Sequence, residues 1–472
     1  MLEELNNKLK NKETTSEILM QESLEKIKEY TKHNIFVTIN NDYQIKEDLN
    51  TVISKIPYAI SDNFSTKEIL STASSNALKD YIPFFDATVI KKLKDNGAVN
   101  IGKTTLDEFG IDAMGINAVT GPVINPAAKN RITGGSASGA AAAVSANIAY
   151  FAIASDSTGG IRKPASYTGV IGYKPTYGLI SRYGLFPFAS SFDTPGVITK
   201  TVKDAAIITD LIKGQDENDM TTWDSTKINL TKDIDNEINN KRLFYIKEIC
   251  DINNYINPRI ETKETLNSFL NTIEKIKELG VEIEEISLDK DLLNLVYPIS
   301  LIITSAEATS NMSNLTGLIF GPRAEGKTIE ELMINYRTKS FSSLIKERFI
   351  IGSYVLNKDN IDDYLLNAGR VRALIVNKLN SLFKKYDGMI LPSTLEYAPK
   401  INEELPEYLK TEQHLALANF GGFPSISIPS DEINYLPIGI NITGKIKDDA
   451  NILNIANKIE KRLKKRISKE VK

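Results

Sequence analysis

Cysteine and histidine are scarce in this chain. Its 472 residues include one cysteine, Cys250, and two histidines, His33 and His414. A single cysteine cannot form an internal disulfide, which is typical of a protein in a reducing cytoplasm. Because neither histidine belongs to a motif, the sequence gives no support to a Ser-His-Asp arrangement. We also expect no metal site.

Long apolar runs and an excess of charge of one sign are missing as well. No run approaches the ~18 apolar residues of a membrane span, and the acidic, polar start is unlike a signal peptide. With 57 Lys and Arg against 60 Asp and Glu, the formal net charge is −3. With this balance of charges, we do not expect a basic face with which the chain could bind nucleic acid without a partner protein. We expect a cytoplasmic globular protein without membrane contact.

Short apolar runs alternate with amphipathic segments from Pro57 onward, which indicates an α/β sheet with helices on both sides. Thr15 and Ser16 are placed to cap the second of two N-terminal helices, and Asp86 to cap a helix through Leu93. We expect one domain over residues 1–472. Its parts are N-terminal helices over 1–56, a core over 57–213, a variable, mostly helical insertion over 214–360, and a return to the sheet over 361–472.

Two segments rich in glycine and serine are the most informative. The first, TGGSASGAAAAV from Thr133 to Val144, places small residues ahead of an Ala-rich helix, where the backbone can approach a ligand closely. Ser136 or Ser138 can instead simply cap that helix. The second, ASDSTGGIRKPA from residue 154 to 165, places a Gly-Gly pair after a strand. Such a pair suits an oxyanion hole of backbone donors, and equally any tight turn.

Together these segments resemble the signature of the amidase-signature family. Further segments are similar to the A subunits of tRNA-dependent amidotransferases: GKTTLDEF (102–109), KPTYGLISRYG (174–184), ASSFD (189–193), RFIIGSYVL (348–356) and NFGGFP (419–424). The resemblance implies the amidase-signature α/β fold, a mixed central sheet with helices on both faces and a helical insertion. It also implies hydrolysis of glutamine to supply ammonia for the amidation of Glu-tRNA(Gln).

The resemblance implies partners as well. We expect a B subunit that binds the tRNA and uses ATP and Mg²⁺, and a small C subunit. Glutamine is then the ligand of this chain, Glu-tRNA(Gln) is reached only through the B subunit, and the chain itself binds no cofactor.

The catalytic pattern of that family is broken here. In the family a nucleophilic Ser attacks the glutamine amide, and its proton passes through a bridging Ser, on a cis peptide bond, to an unprotonated Lys. Ser136 matches the bridging Ser. Ser61, in the string AISDN, stands at the Lys position, and Gly160 stands at the nucleophile position. Neither can do the original chemistry, so glutaminase activity is expected to be lost unless Ser157 acts as a displaced nucleophile.

The remaining site residues also follow from the resemblance. Thr158 and Gly159 would form the oxyanion loop, Arg348 would hold the glutamine α-carboxylate, and Glu412 stands where the family has an Asp for the α-ammonium group. Alternatively, Arg348 is an arginine on the surface of a helix and binds no ligand. For the whole chain, one alternative is a non-catalytic structural or regulatory paralogue of the amidotransferase component. Another is a free-standing hydrolase of small amides.

Overall fold

The protein is described by a computed structural model that covers residues 1–46 and 49–470, with the backbone alone for 465–470. In this part of the chain eleven strands form one sheet: β1 (Phe36–Ile39), β2 (Pro57–Ser61), β3 (Val99–Thr104), β4 (Phe151–Asp156), β5 (Ile171–Lys174), β6 (Thr194–Thr199), β7 (Arg242–Ile246), β8 (Glu282–Ile286), β9 (Gly388–Pro392), β10 (Ser425–Ile433) and β11 (Leu436–Thr443). Their order across the sheet is β1-β3-β2-β4-β6-β5-β10-β11-β9-β7-β8.

Helices flank this sheet, which confirms the expected α/β fold. They are α1 (Leu2–Lys10), α2 (Ser16–Glu29), α3 (Thr88–Asp95), α4 (Ser138–Ser145), α5 (Arg162–Thr168), α6 (Val202–Ile212), α7 (Lys247–Cys250), α8 (Ile260–Lys277), α9 (Lys290–Asn294), α10 (Val296–Asn311), α11 (Ile329–Ser340), α12 (Ser343–Val355), α13 (Asn367–Phe383), α14 (Glu407–Lys410), α15 (Ala416–Phe420) and α16 (Asp449–Glu470).

The sheet is mixed, and its parallel part positions the site. Strand β2 runs parallel to β3 on one side and to β4 on the other, whereas β4 and β6 are antiparallel. Every residue of β2 and β4 is buried, as expected for strands covered on both faces. Because parallel strands end at the same edge, the residues that follow β2 and β4 come together there.

The interval 214–360, expected to be a mostly helical insertion, contains α7 to α12 and also two strands. Strand β7 pairs in parallel with β9, and β8 pairs in parallel with β7. These strands form one end of the central sheet. The interval is therefore joined to the sheet by backbone hydrogen bonds.

The two predicted helix caps have different outcomes. Thr15 caps α2, because its side-chain oxygen accepts a hydrogen bond from the Ile18 N–H at 3.3 Å. The expectation for Asp86 is wrong: α3 starts after Ala87, with no side-chain cap. The Asp86 carboxylate instead accepts from the Lys67 N–H at 2.9 Å and pairs with Lys94 at 2.7 Å. The Asp86 side chain therefore binds the Lys67 N–H and the Lys94 ammonium group, and not the N-terminus of α3.

One 22-residue stretch, Lys290–Asn311, is long and apolar enough to cross a membrane by length and composition alone. It comprises α9 and α10. Within its most apolar window 44% of the residues are buried inside the protein. A core helix of a globular protein has these same properties, so the stretch is weak evidence for a membrane span.

Candidate functional site

The candidate site lies at the edge where β2 and β4 end. Ser61 is the last residue of β2 and Asp156 the last residue of β4. The parallel register between these strands pairs Ile60 with Ile153. Residues 157–161 then form the loop that leads into α5, and Ser136 stands just before α4. The fold thus brings three separate sequence motifs to one edge of the sheet.

Ser136 follows a cis peptide bond, between Gly135 and Ser136. The Ser136 carbonyl accepts a hydrogen bond from the Asp107 N–H at 3.0 Å. Residue 135 must be glycine, because a β-carbon there would collide with Oδ2 of Asp107. The capping alternative for the two serines is wrong, since α4 starts at Ser138 after Ala137, and no side chain caps it.

Gly160 faces the Ser136 side chain. A β-carbon at position 160 would stand 2.6 Å from Ser136 Oγ and 3.0 Å from the Ser155 carbonyl oxygen. The backbones are linked as well, because the Ala137 N–H donates to the Gly160 carbonyl at 3.0 Å. A side chain at position 160 would therefore reach the Ser136 hydroxyl directly, but glycine supplies no nucleophilic atom.

Ser61 lies buried at the end of β2, with 1% of its surface exposed. Its hydroxyl has no hydrogen-bond partner in the part of the chain that the structure describes. The register with β3 pairs Ser61 with Thr104, and Ile60 with Lys103. Because side chains alternate between the two faces of a strand, Lys103 lies on the face opposite to Ser61. It does not take the place of an amine at position 61.

Lys103 is a buried amine that sequence reasoning missed. Its Nζ donates to Thr66 Oγ1 at 2.9 Å, to Ser71 Oγ at 2.8 Å and to the Phe64 carbonyl. Burial lowers the pKa of Lys103 to about 8, although the nearby Asp62 carboxylate opposes that shift. Lys103 belongs to β3, in which every residue is buried, and a buried lysine requires such partners.

Ser157, the displaced-nucleophile candidate, is hydrogen-bonded to Asp193. Its Oγ donates to Asp193 Oδ1 at 2.6 Å, and Asp193 Oδ2 accepts from the N–H groups of Phe188 and Ala189 at 2.9 and 3.0 Å. Burial raises the pKa of Asp193 to about 6, and these hydrogen bonds oppose the increase. The structure thus places the Ser157 hydroxyl against a buried carboxyl group.

Asp156 and Arg162 fix the loop that carries the oxyanion candidates Thr158 and Gly159. Both side chains are fully buried and meet in two contacts, Nη2 to Oδ1 at 2.8 Å and Nε to Oδ2 at 3.0 Å. The carboxylate also accepts from the Gly159 N–H at 2.9 Å and from the Ile161 N–H at 3.1 Å. Burial acts to raise the pKa of Asp156, but Arg162 and these bonds lower it to about 2.

A cavity of about 440 Å³ opens beside this loop. Its lining brings together both predicted ligand-binding residues, Arg348 and Glu412, with Thr158 of the loop and Asp112. Arg348 lies on α12, is half-buried, and makes no hydrogen bond or ion pair with the residues that the structure describes. Its guanidinium is available to a carboxylate ligand, so the cavity is a candidate site for an amino acid or a related acid.

Glu412 already has a cationic partner. Its Oε2 lies 3.3 Å from Lys163 Nζ, and its Oε1 accepts from the Leu395 N–H at 2.6 Å. His414 Nδ1 lies 3.7 Å from the same Oε1, but burial lowers the pKa of His414 and disfavours its charged form. Sequence reasoning missed Lys163. Lys163 is the second residue of α5, directly after the glycine-rich loop, and this closeness to the loop was the signal in the sequence.

The chain matches known proteins over nearly its whole length. The amidase family profile matches residues 19–453. The A subunit of the glutamyl-tRNA(Gln) amidotransferase of Orientia tsutsugamushi (strain Boryong) is 36% identical over 476 aligned residues, which cover 96% of this chain and 95% of that protein. Its counterpart in Legionella pneumophila (strain Paris) is 36% identical, over 97% of this chain and 95% of that protein.

Solved structures agree with these sequence relatives. The crystal structure of the glutamyl-tRNA(Gln) amidotransferase A subunit from Thermotoga maritima superposes with a TM-score of 0.79 at 33% identity, over 94% of this chain and 91% of the other. The native peptide amidase from Stenotrophomonas maltophilia shares the fold, with a TM-score of 0.80 at 23% identity over 98% of this chain and 96% of the other. The chain therefore belongs to the amidase-signature family, in the branch of the glutamyl-tRNA(Gln) amidotransferase A subunits.

Proposed function

We propose that this chain serves as the A subunit of a glutamyl-tRNA(Gln) amidotransferase but does not hydrolyse glutamine. The observation that carries the proposal is the position of Gly160, whose β-carbon would stand 2.6 Å from Ser136 Oγ. The bridging serine and the loop geometry are present, and the atom that should attack the amide is not. Ser61, at the position of the family's Lys, removes the base from the same relay.

The size of the loss supports this proposal. Removing a serine nucleophile from a catalytic unit typically lowers turnover about 10⁶-fold, which corresponds to roughly 8 kcal/mol of transition-state stabilisation. Ser157 is the alternative hydroxyl, but its proton is directed to Asp193 at 2.6 Å. An acyl transfer through Ser157 would require this hydrogen bond to break and the loop held by Asp156 to move.

Partnership is the second half of the proposal. The segment 174–184, which resembles the amidotransferase branch, remains bonded into the fold: the Thr176 N–H donates to Asp449 at 2.8 Å, and the Arg182 guanidinium to the Ser190 carbonyl at 2.6 Å. A protein kept for assembly needs this scaffold even without the chemistry. The partners would be a B subunit that binds ATP, Mg²⁺ and Glu-tRNA(Gln), and a small C subunit, all in the cytoplasm.

A structural or regulatory paralogue of the amidotransferase component is the second candidate, and the Lys163–Glu412 pair favours it. That pair lines the ligand cavity and gives Glu412 a lysine partner, where the resemblance implies an acid that binds the ligand ammonium group. In a chain without a nucleophile, a ligand bound there would act as a signal and not as a substrate. The two candidates share the loss of hydrolysis and differ in whether the complex still amidates tRNA.

Co-expression with the B and C subunits of the same organism tests the proposal. We expect a 1:1:1 complex on gel filtration that amidates Glu-tRNA(Gln) with added ammonium salt but not with glutamine. A complex that forms but amidates with neither source would favour the structural or regulatory paralogue. A monomer that binds neither partner would contradict the proposed partnership and leave a free-standing protein of the amidase fold.

A further inference from the structure

Three cationic residues line the ligand cavity: Lys410, which is exposed, and Arg348 and Lys163, which differ in their partners. Arg348 has no hydrogen bond or ion pair with the described residues, whereas Lys163 is paired with Glu412 at 3.3 Å. The side chains of Lys163 and Glu412 are only 8% and 4% exposed. A pair so buried is weakly screened by solvent, so separating the partners or adding a like charge beside them is costly.

Glu412 has little capacity left for a cation from outside. Its Oε1 accepts the Leu395 N–H at 2.6 Å, and its Oε2 faces Lys163 Nζ. An ammonium group of a ligand placed beside this carboxylate would meet the Lys163 ammonium group. Either the two cations would repel each other, or Lys163 would lose its partner while still buried.

The other acids of the cavity do not replace Glu412. Glu403 pairs with Arg259 at 2.6 Å, and Glu347 and Glu404 are exposed at the rim. Asp112 accepts a hydrogen bond from the Asn117 side chain, and burial raises the pKa of Asp112 against the opposing effect of Lys163 and Arg348. Glu412, Glu403 and Asp112 therefore each have a partner in the protein, whereas Arg348 has no hydrogen bond or ion pair with the described residues.

We infer that this cavity takes a carboxylate without an α-ammonium group, and that Lys163 determines this preference by occupying the place of the ligand's ammonium group. The ligand class is an ω-amide of a dicarboxylic acid or a similar amino-free acid, held by Arg348. The inference rests on the proposed function, since it treats the cavity as the glutamine site of the family in altered form.

Calorimetric titration of the full chain compares L-glutamine with the monoamide of glutaric acid, which is glutamine without its α-ammonium group. We expect the monoamide to bind at least tenfold more tightly than glutamine. In Lys163→Gln the order should reverse, because Glu412 is then free to bind the ligand ammonium group. Lys384→Gln, which removes an exposed lysine outside the cavity, is the matched control and should keep the wild-type order.

Each outcome has a defined meaning. Glutamine binding as tightly as the monoamide in the wild-type chain would overturn the inference and leave the cavity assignment intact. An unchanged order in Lys163→Gln would overturn the role of Lys163, and Lys163→Met repeats that test if the first variant does not fold. Binding of neither ligand to any variant would instead remove the cavity from the proposed function.

Discussion

Ser136 Oγ lies 2.6 Å from the point at which a β-carbon of Gly160 would stand. A serine at position 160 would therefore place a second hydroxyl group beside that of Ser136, as a proton relay through a bridging serine requires. The backbone that would present both hydroxyls is in place: the cis bond before Ser136, the Ala137 to Gly160 hydrogen bond, and the loop anchored by Asp156. Under the proposed function, the relay lacks only the side chains at positions 61 and 160, and substitutions at these two positions test that proposal.

The wild-type chain is expected to release no ammonia from glutamine above background, alone or with its B and C subunits. The reason is the absence of a nucleophile at Gly160 and of a base at Ser61. Coupled detection of ammonia over hours makes the measurement, with a catalytically active member of the family for the positive control. Turnover that Ser157→Ala abolishes would contradict this expectation and identify Ser157 as the displaced nucleophile.

The double variant Ser61→Lys with Gly160→Ser is expected to gain glutaminase activity. Position 160 does not have the left-handed backbone that excludes a side chain, and the nearest atom to a new β-carbon is the movable Ser136 hydroxyl. Members of a catalytic unit act together, so each single variant should remain within about tenfold of background.

The single variants are the controls for that experiment, together with the double variant carrying Ser136→Ala. Thermal unfolding of all variants shows whether a lysine at the buried position 61 is tolerated. A folded double variant with no gain in ammonia release would show that the loop geometry does not support the relay.

Glutamine is expected to bind weakly, with a Kd of about 1 mM, which corresponds to a binding free energy of about −4 kcal/mol. Arg348→Ala should abolish measurable binding, because the guanidinium is the group available to the α-carboxylate. Arg370→Ala, which removes an exposed arginine on α13, serves as the matched control. Equal binding by the wild-type chain and Arg348→Ala would contradict the assignment of this cavity.

The pH dependence of stability should report on Asp193. Its pKa is about 6 in the folded chain, and the usual value of an aspartate is about 3.9. Between these values the unfolded chain has lost the proton that the folded chain retains, so the free energy of unfolding falls as pH rises from about 4 to about 6. The expected loss is roughly 2–3 kcal/mol, and Asp193→Asn should lack it.

Urea unfolding at several pH values between about 4 and about 7 makes this measurement. Ser157→Ala is the informative companion, because the Ser157 hydrogen bond lowers the pKa of Asp193. Its removal should extend the loss of stability to higher pH. Identical slopes in the wild-type chain and Asp193→Asn would show that Asp193 does not titrate in this range.

Local strings in the sequence were sufficient to predict the fold class, and they also predict the catalytic positions. Short apolar runs alternate with amphipathic segments, and this alternation predicted the α/β fold. The apolar runs form buried strands, and the amphipathic segments form helices with one apolar face toward the sheet. The strings around Ser61, Ser136 and Gly160 resemble the family pattern, and that resemblance predicts the absence of two catalytic side chains. Capping by Thr15 was equally local, because its partner lies three residues away.

The tertiary structure alone decided which side chains meet. Lys163 and Glu412 are 249 positions apart, and Ser157 and Asp193 are 36 apart, so no periodicity links them. The register between β2 and β3 placed Lys103 on the face opposite to Ser61. The packing of the surrounding loops placed Asp86 against Lys67 and Lys94 instead of at a helix end. Local spacing determines backbone conformation, whereas charge pairing in a buried cavity depends on how distant segments pack, and that packing sets the ligand that the cavity can accept.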